Sequence, residues 1–260
     1  MILSLFPGIG LLDRAFEEEG FCVVRGPDVL WGGDVKRFHP PAGKFDGVIG
    51  GPPCQCFSVM RHLNPLSGQK QGNLIPEYER CVAEAQPAWF LMENVEDAPV
   101  PKVDGYKVVC VVLNNRHVDA GDGYGAEQQR VRRFSFGTRD GRSLEIAYAV
   151  FERPLFQPAV TASSGKAVPV KIGGSGKVKS TWKPPTVMAG HGPVGRREGY
   201  EQNLSLERAC ELQGLPIDFL SDAPFTVHGK RKVIGNGVPL PMGRAIARAV
   251  KCAIAEADAA

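Results

Sequence analysis

The sequence predicts an α/β protein built on a Rossmann-like sheet, with a small, loop-rich β unit set into its second half. Three observations carry that expectation. The chain opens on an apolar run, a glycine turn and an amphipathic run in succession, which is the strand–turn–helix entry of a nucleotide-type domain. Two later apolar runs, residues 44–49 and 88–92, each end on residues capable of chemistry, as strands do at the carboxyl rim of an open α/β sheet. From residue 138 to about 200 the hydrophobic periodicity gives way to Gly, Pro, Ser and Lys.

Composition sets the bounds. The 260 residues are 43% hydrophobic and 23% charged, which suits a soluble protein of one or two domains with a proper core. No apolar run approaches the roughly 18 residues needed to cross a bilayer. Residues 1–6 lack a basic leader and read as a first strand instead of a signal peptide. The 7 cysteines are odd in number and scattered, which points to reduced thiols and a cytoplasmic setting. Cys54-x-Cys56 has no second ligand pair, so no metal site is expected. The net charge of +3 is unevenly spread: residues 139–200 hold ten cations against four acids, so that segment stands at +6 and the remainder at −3. A basic segment beside a mildly acidic body suits contact with a phosphate backbone, although solvated loops share that composition.

Residues 2–6 form the first predicted strand, Pro7-Gly8-Ile9-Gly10 the turn, and Leu11, Leu12, Ala15 and Phe16 the buried face of a helix stopped by Gly20. A second strand is expected at 21–24. No helix fits between it and the third strand, and Asp28 and Asp34 lie in that connection, placed either for ligand hydroxyls or for turns. The third strand, 44–49, runs into Gly50-Gly51-Pro52-Pro53-Cys54-Gln55-Cys56-Phe57-Ser58 and a loop reaching about Gly72. Glycines allow a sharp turn there and prolines restrict the cysteine that follows, as suits an exposed nucleophile, although a lone cysteine in a turn is more often buried and inert. A helix over 74–86 leads to the strand at 88–92, which ends in Glu93-Asn94; burial there would raise the carboxyl pKa and suit it to proton handling. After a strand at 106–113, Gln128, Arg130 and Arg132 are expected to alternate onto one face of a further strand, with Val131 on the other. Short β-like runs follow at 145–151 and 168–172. Ser205 caps a helix to Gln213, and residues 233–239 lead into a helix from about 240 to 256.

In combination these segments resemble the DNA cytosine-5 methyltransferases, in family order along both flanks of the chain. The matching segments are Phe6-Pro7-Gly8-Ile9-Gly10, Gly50-Gly51-Pro52-Pro53-Cys54-Gln55-x-Phe57-Ser58, Glu93-Asn94-Val95, Gln128-x-Arg130-x-Arg132, Leu212-Gln213-Gly214-x-Pro216 and Gly235-Asn236-x-Val238-Pro239. The resemblance implies a Rossmann-like S-adenosylmethionine-dependent methyltransferase sheet with a small target-recognition domain. It places the catalytic and cofactor domain at 1–137 and 226–260 and the recognition domain at 138–225. It implies Cys54 as the nucleophile toward cytosine C6 and Glu93 as the group at N3. Arg132 would hold the base at O2, with Arg130 and Gln128 ordering the pocket. Phe6, Gly8, Ile9, Gly10, Leu11, Asp28, Asp34, Pro53, Leu74, Asn236 and Val238 are its cofactor residues. Ser58 opens the loop that would close over the base on DNA; within the 138–203 segment, where the resemblance puts sequence reading, Lys177, Lys179, Arg196 and Arg197 are candidate phosphate contacts and Thr186 and His191 candidate base contacts. S-adenosyl-L-methionine becomes S-adenosyl-L-homocysteine, and no metal is required. The implied partner is double-stranded DNA, the expected state a monomer, and the setting a bacterial cell or a phage-infected host.

Several positions depart from the family pattern. Ser4 stands where an Asp is usual, Leu11 replaces a third glycine, Glu127 replaces a Pro, Glu207-Arg208 is reversed, and the segment after Val95 lacks most of a helix. These leave the catalytic set intact and describe a minimised enzyme. The alternatives are a tRNA cytosine-5 methyltransferase of the same fold and a DNA- or cofactor-binding pseudoenzyme. A dinucleotide dehydrogenase, suggested by Gly8-x-Gly10 alone, fits nothing downstream.

Overall fold

Strand β1 (Ile2–Leu5) is buried along its whole length, and its side chains alternate between two apolar cores. Ile2 points to a core shared with Phe16 and Met242, while Leu3 and Leu5 point to one shared with Tyr78 and Phe90. The same alternation runs through β3 (Gly47–Gly50), with Ile49 and Val48 on opposite faces, and β4 (Trp89–Asn94), with Trp89 and Leu91 opposite Phe90 and Met92. Strands buried on both faces need helices on both sides, and the chain supplies them. A computed structural model describes residues 1–53, 57, 72–152 and 205–258.

The sheet also contains β2 (Val23–Arg25), β5 (Lys107–Asn114) and β6 (Val131–Thr138), in the order β2-β1-β3-β4-β6-β5. The first four are parallel neighbours, whereas β6 runs antiparallel between β4 and β5. Helix α1 (Leu11–Glu18) and α5 (Leu240–Asp258) cover one face, with Leu12 and Phe16 packed near Met242, Ile246 and Val250. Arg244 and Arg248 of α5 reach Glu18 at 2.6 Å and Glu19 at 2.7 Å, which clasps the two helices at the surface. Helix α2 (Ile75–Ala85) covers the other face through Ile75, Tyr78, Cys81, Val82 and Ala85. Beyond α1, α3 (Leu206–Leu212) and α4 (Val227–Asn236) form a third cluster with Leu11 and Ala15. Residues 209–220 therefore share a core with the first helix of the chain, inside the span that the sequence assigns to the recognition unit.

Most predicted elements stand within a residue or two of their expected bounds, and the differences have physical reasons. The second strand is only Val23–Arg25, because Phe21 turns into the core against Phe16 and Trp89, at 5.1 and 6.1 Å between ring centroids. The strand expected to carry Gln128 and Arg130 begins later, at Val131, after a bend at residues 127–128. The β-like run at 145–151 makes only isolated bridges, Val118 to Tyr148 and Tyr124 to Phe151. The segment read as a lead-in from 233 is the end of α4, which Thr226 starts by accepting the Gly229 amide at 3.1 Å; Gly229 and Gly235 disguise it as a loop. The β-like run at 168–172 lies outside the described residues.

Because β2 and β3 flank β1 on opposite sides, the strand order reverses between β1 and β3, the point at whose carboxyl ends open α/β sheets generally bind ligands. Cys22, Cys81, Cys110, Cys210 and Cys252 are free thiols. Burial pushes Cys81 and Cys210 up to about 11, so at pH 8 each is only about one part in a thousand thiolate. Iodoacetamide at pH 8, followed by peptide mass spectrometry, is expected to label the exposed Cys22, Cys110 and Cys252 at least about a hundredfold faster than these two.

Candidate active site

Parallel pairing sets Leu5 beside Gly50 and Gly50 beside Met92, so the segments after β1, β3 and β4 emerge on one rim. Antiparallel β6 brings its first residues to that same rim, with Glu93 opposite Phe134 and Asn94 opposite Arg133. Arg132 thereby meets Glu93, with Nε 2.9 Å from Oε1, and the two side chains are only 18% and 12% exposed. The sequence anticipates an acid shaped by burial; the structure gives it a guanidinium partner as well. On its other side the carboxylate presses against Gly51, where an added Cβ would lie 3.0 Å from Oε2. The second glycine of the Gly-Gly-Pro-Pro turn thus makes room for Glu93.

Asn94 is buried, and its side-chain amide donates to the Pro52 carbonyl at 3.1 Å while its oxygen accepts the Val95 amide at 2.9 Å. It ties the end of β4 to the turn that leads into Cys54. Arg133 secures the stretch after Val95, donating to the carbonyls of Glu96 at 2.6 Å, Pro99 at 2.9 Å and Ala98. That explains how a segment without the usual helix is held in place. Asn94 and Arg133 escape sequence reasoning as site-ordering residues; the only hint is their place beside Glu93 and Arg132.

The loop after β1 forms the other half of the rim. Phe6, Gly8 and Gly10 all have positive φ, of 56°, 56° and 76°. Gly8 has open space where a Cβ would stand, and Gly10 precedes α1 with no side chain capping the helix. An open cradle leading to an uncapped helix N-terminus fits a nucleotide-like cofactor. Asp28 accepts the Gly8 amide at 2.9 Å and the Leu30 amide at 2.7 Å, while the Trp31 indole donates to the Gly8 carbonyl at 2.7 Å. The peptide units on both sides of the Gly8 Cα are therefore held. Trp31, largely exposed and against Phe225 at 5.8 Å, is absent from the sequence-derived set.

Beneath the loop, Ser4 donates to Asp13 at 2.5 Å and Arg25 to Asp13 at 2.9 Å. The carboxylate missing from position 4 is supplied beside β1 by α1. Burial raises the Asp13 pKa, against the lowering pull of Ser4 and Arg25.

Other expected site residues fall elsewhere. The Leu11 and Val238 side chains are buried in the cores, Leu11 packing so closely on Gly237 that a Cβ there would sit 2.5 Å from its Cδ1. They shape the loop from behind. Asp34 is exposed and caps the turn Val35–Arg37 through the Lys36 amide at 3.0 Å. Gln128 is not on the pocket face: its amide donates inward to the Leu212 carbonyl at 2.8 Å and Gln213 Oε1 at 3.0 Å. Arg130 is buried next to it. Ile9, Pro53 and Leu74 are half-buried, and Asn236 is exposed at the end of α4. Cys54, Ser58, Lys177, Lys179, Thr186, His191, Arg196 and Arg197 lie outside the described residues.

A Rossmann-like sheet with an antiparallel strand, a glycine loop after β1 and a carboxylate–guanidinium pair at its rim defines the methyltransferase class of α/β fold. Within that class the C-5 cytosine-specific DNA methylase family profile matches residues 33–180, and the chain belongs to that family. It is 25% identical to the type II methyltransferase M.HgiDI of Herpetosiphon aurantiacus, over 92% of this chain and 90% of that protein. It is 24% identical to M.MthTI of Methanothermobacter thermautotrophicus, over 96% of each. A structure of a Spodoptera frugiperda DNMT2 variant superposes with a TM-score of 0.58, at 14% identity, over 97% of this chain and 99% of that one. The protein is a DNA cytosine-5-methyltransferase, a family that uses S-adenosylmethionine and acts on DNA.

Displacing Glu93 by a methyl group tests its placement. Gly51→Ala is expected to lower kcat by about 10-fold, short of the roughly 10²-fold loss for a misplacement of about 1 Å, because Glu93 need give by only a few tenths of an ångström. Its thermal midpoint should stay within a few degrees of wild type by differential scanning fluorimetry.

Proposed function

We propose that the enzyme methylates a cytosine flipped out of double-stranded DNA, and that Cys54 adds covalently to C6 during turnover. The supporting observation is the clasp at the rim: Glu93 is held between Arg132 and Gly51, and Asn94 is bonded to Pro52, two residues before Cys54. Cytosine C5 is too weak a nucleophile to take a methyl group unaided. Addition of the Cys54 thiolate forms an S–C6 bond and breaks the C5–C6 π bond, sending its electron pair toward C5 and N3. Glu93 stabilises the charge at N3 by giving or sharing a proton, and Arg132 fixes that carboxyl while meeting the O2 side of the base. C5 then takes the methyl group and loses its proton, and the C5–C6 double bond re-forms as the S–C6 bond breaks. Since C5 and C6 lie within the base stack of a duplex, the nucleotide must leave the helix to reach this rim.

Bound S-adenosylmethionine supplies a methyl group made electrophilic by its sulfonium. The backbone of Phe6, Gly8, Ile9 and Gly10 would hold it, with Asp28 and Trp31 keeping Gly8 in place and Asn236 closing from α4. The basic segment at 139–200, with Lys177, Lys179, Arg196 and Arg197, supplies phosphate contacts, and Thr186 a base contact.

Cys54→Ala is expected to lower turnover by at least about 10⁴-fold, as loss of other catalytic nucleophiles does. It should leave S-adenosylhomocysteine affinity within about threefold by calorimetry. With S-adenosylmethionine present, wild type should form a denaturation-resistant adduct with 5-fluorocytosine duplex DNA, and competing duplex DNA, but not tRNA, should suppress its formation. Unchanged turnover in the variant, or no adduct with wild type, overturns the mechanism.

A further inference from the structure

Gln213 sits just past α3, fully buried, and takes no part in the chemistry above. Its side-chain nitrogen donates to the Ile234 carbonyl at 2.5 Å, and its side-chain oxygen accepts from Gln128 Nε2 at 3.0 Å. The same Gln128 nitrogen donates to Leu212 O at 2.8 Å, and the Gln213 carbonyl accepts the Leu240 amide at 2.9 Å. The direction of this chain of hydrogen bonds is fixed. Turning either amide over would set oxygen against oxygen at Ile234 or at Leu212, which a buried site does not tolerate.

The two ends of the hydrogen-bonded chain lie behind the two halves of the site. Ile234 is two residues before Asn236, and Gly237 rests on Leu11, the first residue of α1 after the Gly8–Gly10 turn. Gln128 is two residues before Arg130 and four before Arg132, the partner of Glu93. A shift of α4 against α1 therefore moves Gln213, and a shift of Gln213 moves the entry to β6. Apolar packing tolerates small sliding; a directional amide pair with carbonyls at both ends does not.

We propose that Gln213 is a positioning residue that couples the cofactor half of the site to the base half, so that cofactor and DNA each tighten binding of the other through the Gln213–Gln128 bond. The proposal rests on the cofactor placement given under Proposed function. By thermodynamic reciprocity the coupling is one number, read as the ratio of S-adenosylhomocysteine affinities with and without bound DNA.

Calorimetry with S-adenosylhomocysteine, on the free protein and on its complex with 5-fluorocytosine-free target duplex, reads that ratio in wild type, Gln213→Leu, Gln128→Leu and the double variant. Wild type is expected to show at least about fivefold tighter binding on DNA. Each single variant should bring the ratio to within about twofold of unity while free-protein affinity changes less than about twofold, and the double variant should add nothing further. If one single variant fails to fold, the other breaks the same bond from the opposite side and tests the same coupling. A wild-type ratio of one, an undiminished ratio in the variants, or an equal loss of affinity with and without DNA overturns the proposal. Gly8→Val separates this from failure of the cofactor placement, because that placement requires it to weaken free-protein binding regardless of coupling.

Discussion

The contact on which the site depends is the pair between Glu93 and Arg132. It exists only because β6 enters the sheet antiparallel between β4 and β5, which brings residues far apart in sequence to one rim. Two charges so little exposed are costly to desolvate, and they hold their place only with good geometry and further partners. Arg132 has one such partner in the Val131 carbonyl, to which it also donates at 2.7 Å. Around the pair, Gly51 leaves room for the carboxylate, Asn94 binds the turn before Cys54, and Arg133 fixes the chain that leaves β4. The acid, the turn and the arginines therefore lie on one rim, joined through neighbouring positions of β4 and β6.

The glycine-loop half of the rim is built on a different plan, with backbone in place of side chains. Left-handed Phe6, Gly8 and Gly10 shape a loop that hydrogen bonds hold from outside, through Asp28 and Trp31, and that Leu11 and Gly237 hold from beneath. Asp13 shows how such a loop survives the loss of a customary residue. With serine at position 4, the carboxylate arrives from the first turn of α1 and keeps its place beside β1, joined by Arg25 from β2.

How much of this is legible in the sequence depends on range. Strands β1, β3 and β4 are readable because each is an apolar run that stops at a residue with chemistry, and the Ser205 cap and Gly214 stop of α3 are readable from local rules. Helix α4 is not, since its two glycines outweigh a good Thr226 cap in any local reading. Gln128 misleads for the same reason in reverse: an alternating pattern suggests a strand face, while a bend and the docking of α3 turn the side chain inward. The roles of Asn94, Trp31, Arg133 and Gln213 all arise from contacts between distant segments, and no periodicity announces them. Residue types name the chemistry; strand order decides which of them share a pocket.

The most direct test of the clasp is a double-mutant cycle on turnover with Glu93→Gln, Arg132→Gln and the pair of changes together. If the two side chains act as one unit, each single change removes most of the activity and the double variant is no worse than about threefold below the poorer single one, a strong departure from additivity. Fold losses that simply multiply would mean that the two residues act independently, and the assembly described here would be wrong.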